Sequence, residues 1–200
     1  DNLSDEKLSE YTDVIVKNTQ YLSRTIDTFK NYFNTQNEVT TFNLKDTTKK
    51  VLDLVDYRLN ESKTNVILNC EEVIVEGLEN EFIQSMINII NNSLEAFNKQ
   101  DLKERFIFID ILKESNSAVL RIKDNAGGLD EDIIEHAFEP YFTTKHQSTG
   151  TGMGLFMVYE IMVKHFGGNI QIENTKFIYK NSDYKGSQVI IEIPSSLGSR

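Results

Sequence analysis

The sequence predicts an α+β fold: a two-layer sandwich with a mixed sheet covered on one face by helices, preceded by a long N-terminal bundle helix. Three observations predict it. Beyond residue 37, short runs rich in Val, Ile and Phe come in adjacent pairs, with helical periodicity between them, as in a sheet covered on one side. Residues 3–35 carry one continuous apolar stripe at three- and four-residue steps. The polar stretch Asn34-Thr35-Gln36-Asn37 separates the two patterns and is the expected domain boundary. Two hundred residues, 39% of them hydrophobic, suffice for one domain with a real core and an attached helix.

The first element is the helix over 3–35. Leu8, Tyr11, Ile15, Leu22, Ile26, Phe29 and Phe33 form its stripe, broadened by Val14, Tyr21 and Tyr32 and interrupted by Asn18 and Thr25. So broad a stripe suits a helical bundle rather than a two-stranded coil, and it requires partner helices. EVTTFN (38–43) reads as a short strand, and Leu44 to Leu59 as a helix with Leu44, Val51, Leu52, Val55 and Leu59 on one face. NVILNC (65–70) and VIVEG (73–77) read as strands. The helix expected over 80–97 has Phe82, Met86, Ile89, Ile90, Leu94 and Phe97 as its apolar set. RFIFIDILK (105–113) and AVLRIKD (118–124) read as an antiparallel pair joined by the polar turn Glu114-Ser115-Asn116-Ser117. Short helices follow over 131–137 and 154–166. NIQIEN (169–174) and SQVIIEIP (187–194) are the last strands, with a hairpin turn at Lys180-Asn181-Ser182-Asp183. Residues 195–200 are read as a tail.

Charge and composition narrow the function. The net charge of −10 argues against a nucleic-acid surface, which needs clustered Lys and Arg. It leaves room for an anionic ligand held by backbone N–H groups. Cys70 is the single cysteine, so there is no internal disulfide and no Cys-based zinc site, which fits a reducing cytoplasm. No run of eighteen apolar residues is present to span a membrane. The chain starts at Asp1 without a signal-peptide pattern, and it is read as a piece of a longer protein.

The glycines carry the sharpest signal. Gly127-Gly128 follow a strand end, and Gly150, Gly152 and Gly154 precede an apolar helix, positions where backbone takes positive φ or approaches a ligand. Asp124 at the strand end could accept from an exocyclic amine, while the second cluster suits phosphate. One site could thus hold a purine at one end and phosphates at the other. In the helix 80–97, Asn88 and Asn92 stand four residues apart and share a face. That face is either a solvated polar seam or a pair of amide oxygens turned into a cleft, one ligating a hard cation such as Mg²⁺.

QSMINIINNSLEA (84–96), DNAGG (124–128), FEPYFTTK (138–145) and GTGMGL (150–155) resemble, in order, the asparagine box, first glycine box, phenylalanine box and second glycine box of sensor histidine kinases. HFGGNI (165–170) and GSQVIIEIP (186–194) resemble the family's closing segments, so the likeness covers 38–194. Residues 1–37 resemble, by pattern, the second helix of the dimerisation and phosphotransfer hairpin. The resemblance implies an ATP-binding catalytic domain over 38–194. Asn92 would ligate Mg²⁺, with Asn88 one turn earlier facing the phosphates. Asp124 would accept from adenine N6, and Gly128 would let the backbone pass beneath the base. Phe138 and Phe142 would anchor a lid carrying Thr144 and Lys145, with Lys145 meeting the terminal phosphate. Gly150, Thr151, Gly152, Met153, Gly154 and Leu155 would cradle phosphates at the helix start. ATP with Mg²⁺, a response-regulator receiver domain and a homodimer through the N-terminal helix are the implied partners. The implied setting is the cytoplasm, including the cytoplasmic part of a membrane-bound sensor.

The sequence departs from that pattern in places. Ser93 stands where Ala is common, a small change; Glu95 replaces a basic residue found in some members, and Lys99 or Lys145 could substitute; Ala126 replaces a usual glycine. Residues 3–35 contain no His, so the phosphoacceptor is expected upstream. His136 and His165 are read as packing or solvent-facing, His146 as a lid residue, and Glu131, Asp132 and Glu135 as a solvated helix face. ATPases of the gyrase, chaperone and mismatch-repair type place Glu one turn before the metal-binding Asn. This chain has Asn88 there, and an amide cannot serve as a general base near neutral pH. A non-catalytic helical dimer module with a vestigial site is the remaining alternative.

Overall fold

The structure, a computed structural model, describes Thr12 and residues 38–143 and 151–194. The helix expected over 3–35, the boundary at 34–37 and the tail lie outside the described residues, apart from Thr12.

Strand alternation builds the core. In β4 (Arg105–Lys113), Ile107, Ile109 and Ile111 are wholly buried against the helices, while Phe106 and Phe108 point to the opposite face, as a two-residue period requires. β5 (Ser117–Asp124) pairs antiparallel with β4, setting Ile122 opposite Ile109. β2 (Thr64–Cys70) lies parallel to β4 on its other side. β7 (Ser182–Pro194) pairs with β5, and β6 (Asn169–Tyr179) with β7, both antiparallel. The sheet order is β2-β4-β5-β7-β6. It is the mixed sheet that the sequence predicts. The remaining strands, β1 (Thr40–Asn43) and β3 (Ile74–Gly77), form a separate two-stranded ribbon.

Helices cover the isoleucine face. β1 runs directly into α1 (Leu44–Glu61), whose N-cap Asn43 accepts from the Lys45 N–H at 3.0 Å. Leu44, Val51, Val55 and Leu59 are buried along it as expected, and Leu52 is partly so. α2 (Glu79–Phe97) buries Phe82, Met86, Ile89, Ile90, Leu94 and Phe97. Glu79 ties the two helices, accepting from Thr47 Oγ1 at 2.7 Å and Lys50 Nζ at 2.8 Å. These two bonds hold its carboxyl below the usual range. α3 (Glu131–His136) is short. α4 (Gly154–Tyr159) continues into a π-helical stretch, Glu160–His165, whose Ile161 and Met162 enter the core.

The last hairpin is longer than the sequence suggested. β6 runs on to Tyr179 and β7 begins at Ser182, so Lys180 and Asn181 alone make the turn, with φ of 48° and 61°. Both central residues in the left-handed region make the twist that two-residue hairpins favour. The extension folds over the sheet's outer face. Tyr179 packs on Phe106 and Phe108 at 5.1 and 5.0 Å between ring centroids, Phe177 on Phe108 at 5.2 Å, and Tyr184 on Phe106 at 5.6 Å. Lys123 Nζ lies 4.3 Å from the Phe177 centroid. A strand two places away therefore seats the hairpin, and this non-local support is why the local pattern hid it.

Candidate functional site

α2 forms one wall. With its apolar residues directed at the sheet, the adjacent face presents Asn88 and Asn92, both half-buried. Asn88 Nδ2 reaches the Gly154 carbonyl at 3.5 Å, which sets α2 against the start of α4. Asn91 turns the other way and accepts from Arg58 of α1. Ser93 is buried and faces the end of β5.

That strand end holds Asp124, 3% exposed. Its carboxylate accepts four bonds: from Ala126 N at 2.9 Å, Ser187 N at 3.2 Å, Ser187 Oγ at 2.7 Å and Ser93 Oγ at 3.1 Å. A carboxylate offers about four lone-pair sites, so the group is saturated and its direction set. Gly186 makes this possible, because a Cβ there would stand 1.8 Å from the Asp124 carbonyl oxygen. The following Asn125 is also buried; it accepts from Phe106 N at 2.7 Å and donates to the Glu104 carbonyl at 3.0 Å. Ala126 does not take a positive φ, whereas Gly127 and Gly128 do, at 88° and 87°. Leu129 N–H donates to Asn174 Oδ1 at 2.7 Å, and Asn174 Nδ2 returns a bond to the Leu129 carbonyl at 2.7 Å.

The third part lies between α3 and α4. Phe138 packs on Tyr159, 5.8 Å between centroids, and against the core. Phe142 lies 5.5 Å from the His136 ring. Tyr141 takes φ of 66° with its side chain 72% exposed, an unusual conformation for a bulky residue. Its N–H donates to the Gly152 carbonyl at 3.0 Å, joining the two sides of the segment 142–151. Thr151 Oγ1 accepts from Met153 N at 3.2 Å, and Leu155 packs against the core. Among the described residues nothing lies within 4 Å of the place a Cβ would occupy on Gly154. Thr144, Lys145, His146 and Gly150 lie outside the described residues.

The two described histidines do more than pack. His136 Nδ1 meets Glu139 Oε1 at 2.9 Å, and that hydrogen bond raises its pKa. His165 Nδ1 meets Glu81 Oε2 at 2.7 Å, tying the π-helical segment to the first turn of α2. Glu131, Asp132 and Glu135 are exposed, as expected. Among the described residues no helix is long and apolar enough to cross a membrane, and no three His, Cys, Asp or Glu side chains form a metal cluster. The fit for a cation is of another kind. Asn88, held to the Gly154 carbonyl through its Nδ2, and Asn92, one turn along the same helix, carry amide oxygens, a sparse hard-donor set suited to an ion that keeps phosphate and water ligands.

Three contributors look ordinary in the sequence. Ser93, a small residue where Ala is common, donates to Asp124. Ser187 donates twice to the same carboxylate. Asn174 grips Leu129 from β6. The only signal in the sequence was the GS pair at 186–187.

Comparison with known proteins bears on the family and the fold. The family described as histidine kinase-, DNA gyrase B- and HSP90-like ATPase matches residues 77–197. The sensor protein DegM of Bacillus sp. (strain B21-2) is 29% identical over 191 residues, which are 95% of this chain and 47% of DegM. The catalytic domain of the histidine kinase ThkA is similar in structure, with a TM-score of 0.65 and 27% identity over 80% of this chain and 97% of that domain. ThkA in complex with the response regulator protein TrrA gives a TM-score of 0.71 at 22% identity, covering 100% of this chain and 55% of ThkA. The chain spans less than half the length of the sensor proteins it matches.

Proposed function

This chain belongs to the histidine kinase-, DNA gyrase B- and HSP90-like ATPase family and carries an ATP-binding domain of the histidine kinase catalytic type, and on that premise we propose that it transfers the terminal phosphoryl group of Mg²⁺-ATP to a histidine outside residues 38–194, from which a response-regulator aspartate receives it. The observation that carries the reading is the buried, four-fold bonded Asp124 followed by a left-handed glycine pair, together with the Asn88 face set against Gly154 at the start of α4.

Asp124 would accept from adenine N6. Both its oxygens already take two bonds, so the amine would displace a hydroxyl, and the Ser93 hydroxyl at 3.1 Å is the longer-bonded and free to rotate. Guanine presents an acceptor at that position and would face the carboxylate unpaired. Gly128 would let the backbone pass beneath the base. Phe138 and Phe142 would anchor the lid, with Thr144 and Lys145 on it and Lys145 at the terminal phosphate. Backbone from Gly150 through Leu155, including Thr151, Gly152, Met153 and Gly154, would hold the phosphates. Asn92, with Asn88 beside it, would hold Mg²⁺, which offsets phosphate charge. Asn88 also supports phosphotransfer over hydrolysis, because its amide is no base for water. Residues 1–37 would dimerise the protein.

Calorimetric titration tests the reading. Mg²⁺-ATP and Mg²⁺-ADP are expected to bind and Mg²⁺-GTP to bind at least about tenfold more weakly, as one mispaired buried polar group implies. No binding of ATP at millimolar concentration, or equal binding of ATP and GTP, contradicts it. Fast steady hydrolysis by the chain alone would point to an ATPase.

A further inference from the structure

Asp124 and Leu129 bound the loop that carries the glycine pair. Two residues of the last hairpin hold its two ends, and those residues face each other: Asn174 of β6 and Ser187 of β7 are register partners. Ser187 holds the start through Asp124, with bonds of 3.2 Å from its N–H and 2.7 Å from its hydroxyl. Asn174 holds the end through two 2.7 Å bonds with the Leu129 backbone. Its amide thus pairs with a peptide unit as a strand would. Between the ends, Gly127 N–H donates to the Lys185 carbonyl at 2.9 Å. Gly128 lies close under the clamp, where a Cβ would come 2.4 Å from Asn174 Oδ1.

We propose that the Asn174–Ser187 rung sets the position of the base-recognition loop, and that Asn174 is a positioning residue for purine selectivity. This rests on the nucleotide reading above. Two consecutive glycines at positive φ have the widest backbone freedom of any dipeptide, so the loop does not hold its own shape. Asn174 itself is exposed, and water can replace its hydrogen bonds at small cost to overall stability. Water cannot fix where Leu129 sits relative to Asp124. The residue therefore acts on binding rather than on folding.

The test uses the full 200-residue chain with Asn174→Ala and Asn174→Asp. Calorimetry with Mg²⁺-ADP, Mg²⁺-ATP and Mg²⁺-GTP reads affinity and the ATP-to-GTP ratio. Amide hydrogen exchange over 126–129, without nucleotide, reads the loop. For Asn174→Ala we expect faster exchange, ADP affinity reduced about tenfold and a narrower ATP-to-GTP ratio, with the melting temperature nearly unchanged. Asn174→Asp keeps the acceptor for Leu129 N–H and is expected to fall between wild type and Asn174→Ala. Unchanged exchange overturns the clamp. Faster exchange with unchanged ADP affinity and unchanged ratio overturns the selectivity role while leaving the nucleotide reading intact. A wild-type chain that binds no ADP overturns the nucleotide reading and the selectivity role with it, and the exchange result still judges the clamp.

Discussion

The two ends of the candidate site are built on opposite plans. At the Asp124 end, one buried carboxylate takes four protein hydrogen bonds and a glycine is pressed against its backbone. At the Asn88 end, the amide makes, among the described residues, a 3.5 Å contact with the Gly154 carbonyl. The difference follows the chemistry each end would meet. A base offers a fixed pattern of donors and acceptors, and a rigid partner discriminates among such patterns. A phosphate chain offers charge, and sparse backbone and amide groups leave room for ions and water.

This contrast breaks most readily at Gly186. Gly186→Ala drives a methyl into the Asp124 carbonyl, and an overpacking cost of about 1–3 kcal/mol or more is expected in urea unfolding. An unchanged midpoint would show that the Asp124 end is not rigid. Asp124→Asn sets an amide N–H₂ against donors from Ser93, Ser187 and Ala126. It should destabilise the chain by about 1–3 kcal/mol and abolish preference for ATP over GTP, read by denaturation and calorimetry. Asn92→Ala sharpens the contrast from the other side. Stability should hold within about 0.5 kcal/mol, while the Mg²⁺ dependence of ATP binding falls, with affinity down about tenfold, or 1.4 kcal/mol. Equal stability losses at Asn92 and Asp124 would erase the distinction.

Tyr141 and His136 should respond least. Tyr141→Gly relieves a side chain from positive φ but frees the unfolded backbone, so a change within about 1 kcal/mol in thermal melts is expected. His136 is raised chiefly by its hydrogen bond to Glu139, with Glu135 and Asp132 adding charge. A raised group contributes its stability fully below the ordinary value of 6.5 and loses it as pH climbs through the raised value. His136→Gln should therefore lower the melting temperature slightly in acid and not at all at high pH; the reverse order would contradict the pairing.

Much of the sandwich was legible because it is local. The alternation of Ile107, Ile109 and Ile111 and the 3.6-residue spacing of Phe82, Met86 and Ile90 announce their own elements. The reach of β6 and β7 was not, since Asn174-Thr175-Lys176 reads as a polar break unless Phe106 and Phe108 are known to wait across the sheet. Both strands of the β1–β3 ribbon were legible, but their pairing apart from the main sheet and the π-helical stretch left no local mark. The site followed the same division. Asp124, Gly128 and the Asn88–Asn92 face stand out by residue type and spacing. Ser93, Asn174 and Ser187 matter through bonds to positions 31, 45 and 63 residues away. Hydroxyls and amides look ordinary in a sequence until their distant partner is known.

The hydrogen bond between Tyr141 and Gly152 reaches past the site itself. It pins both roots of the intervening stretch, so the rest of the fold does not depend on how many residues run between them. Ring-closure entropy grows only logarithmically, by about 0.6 kcal/mol for each doubling. Lengthening, shortening or rewriting that stretch would leave the sandwich standing, and it is thereby a segment open to redesign.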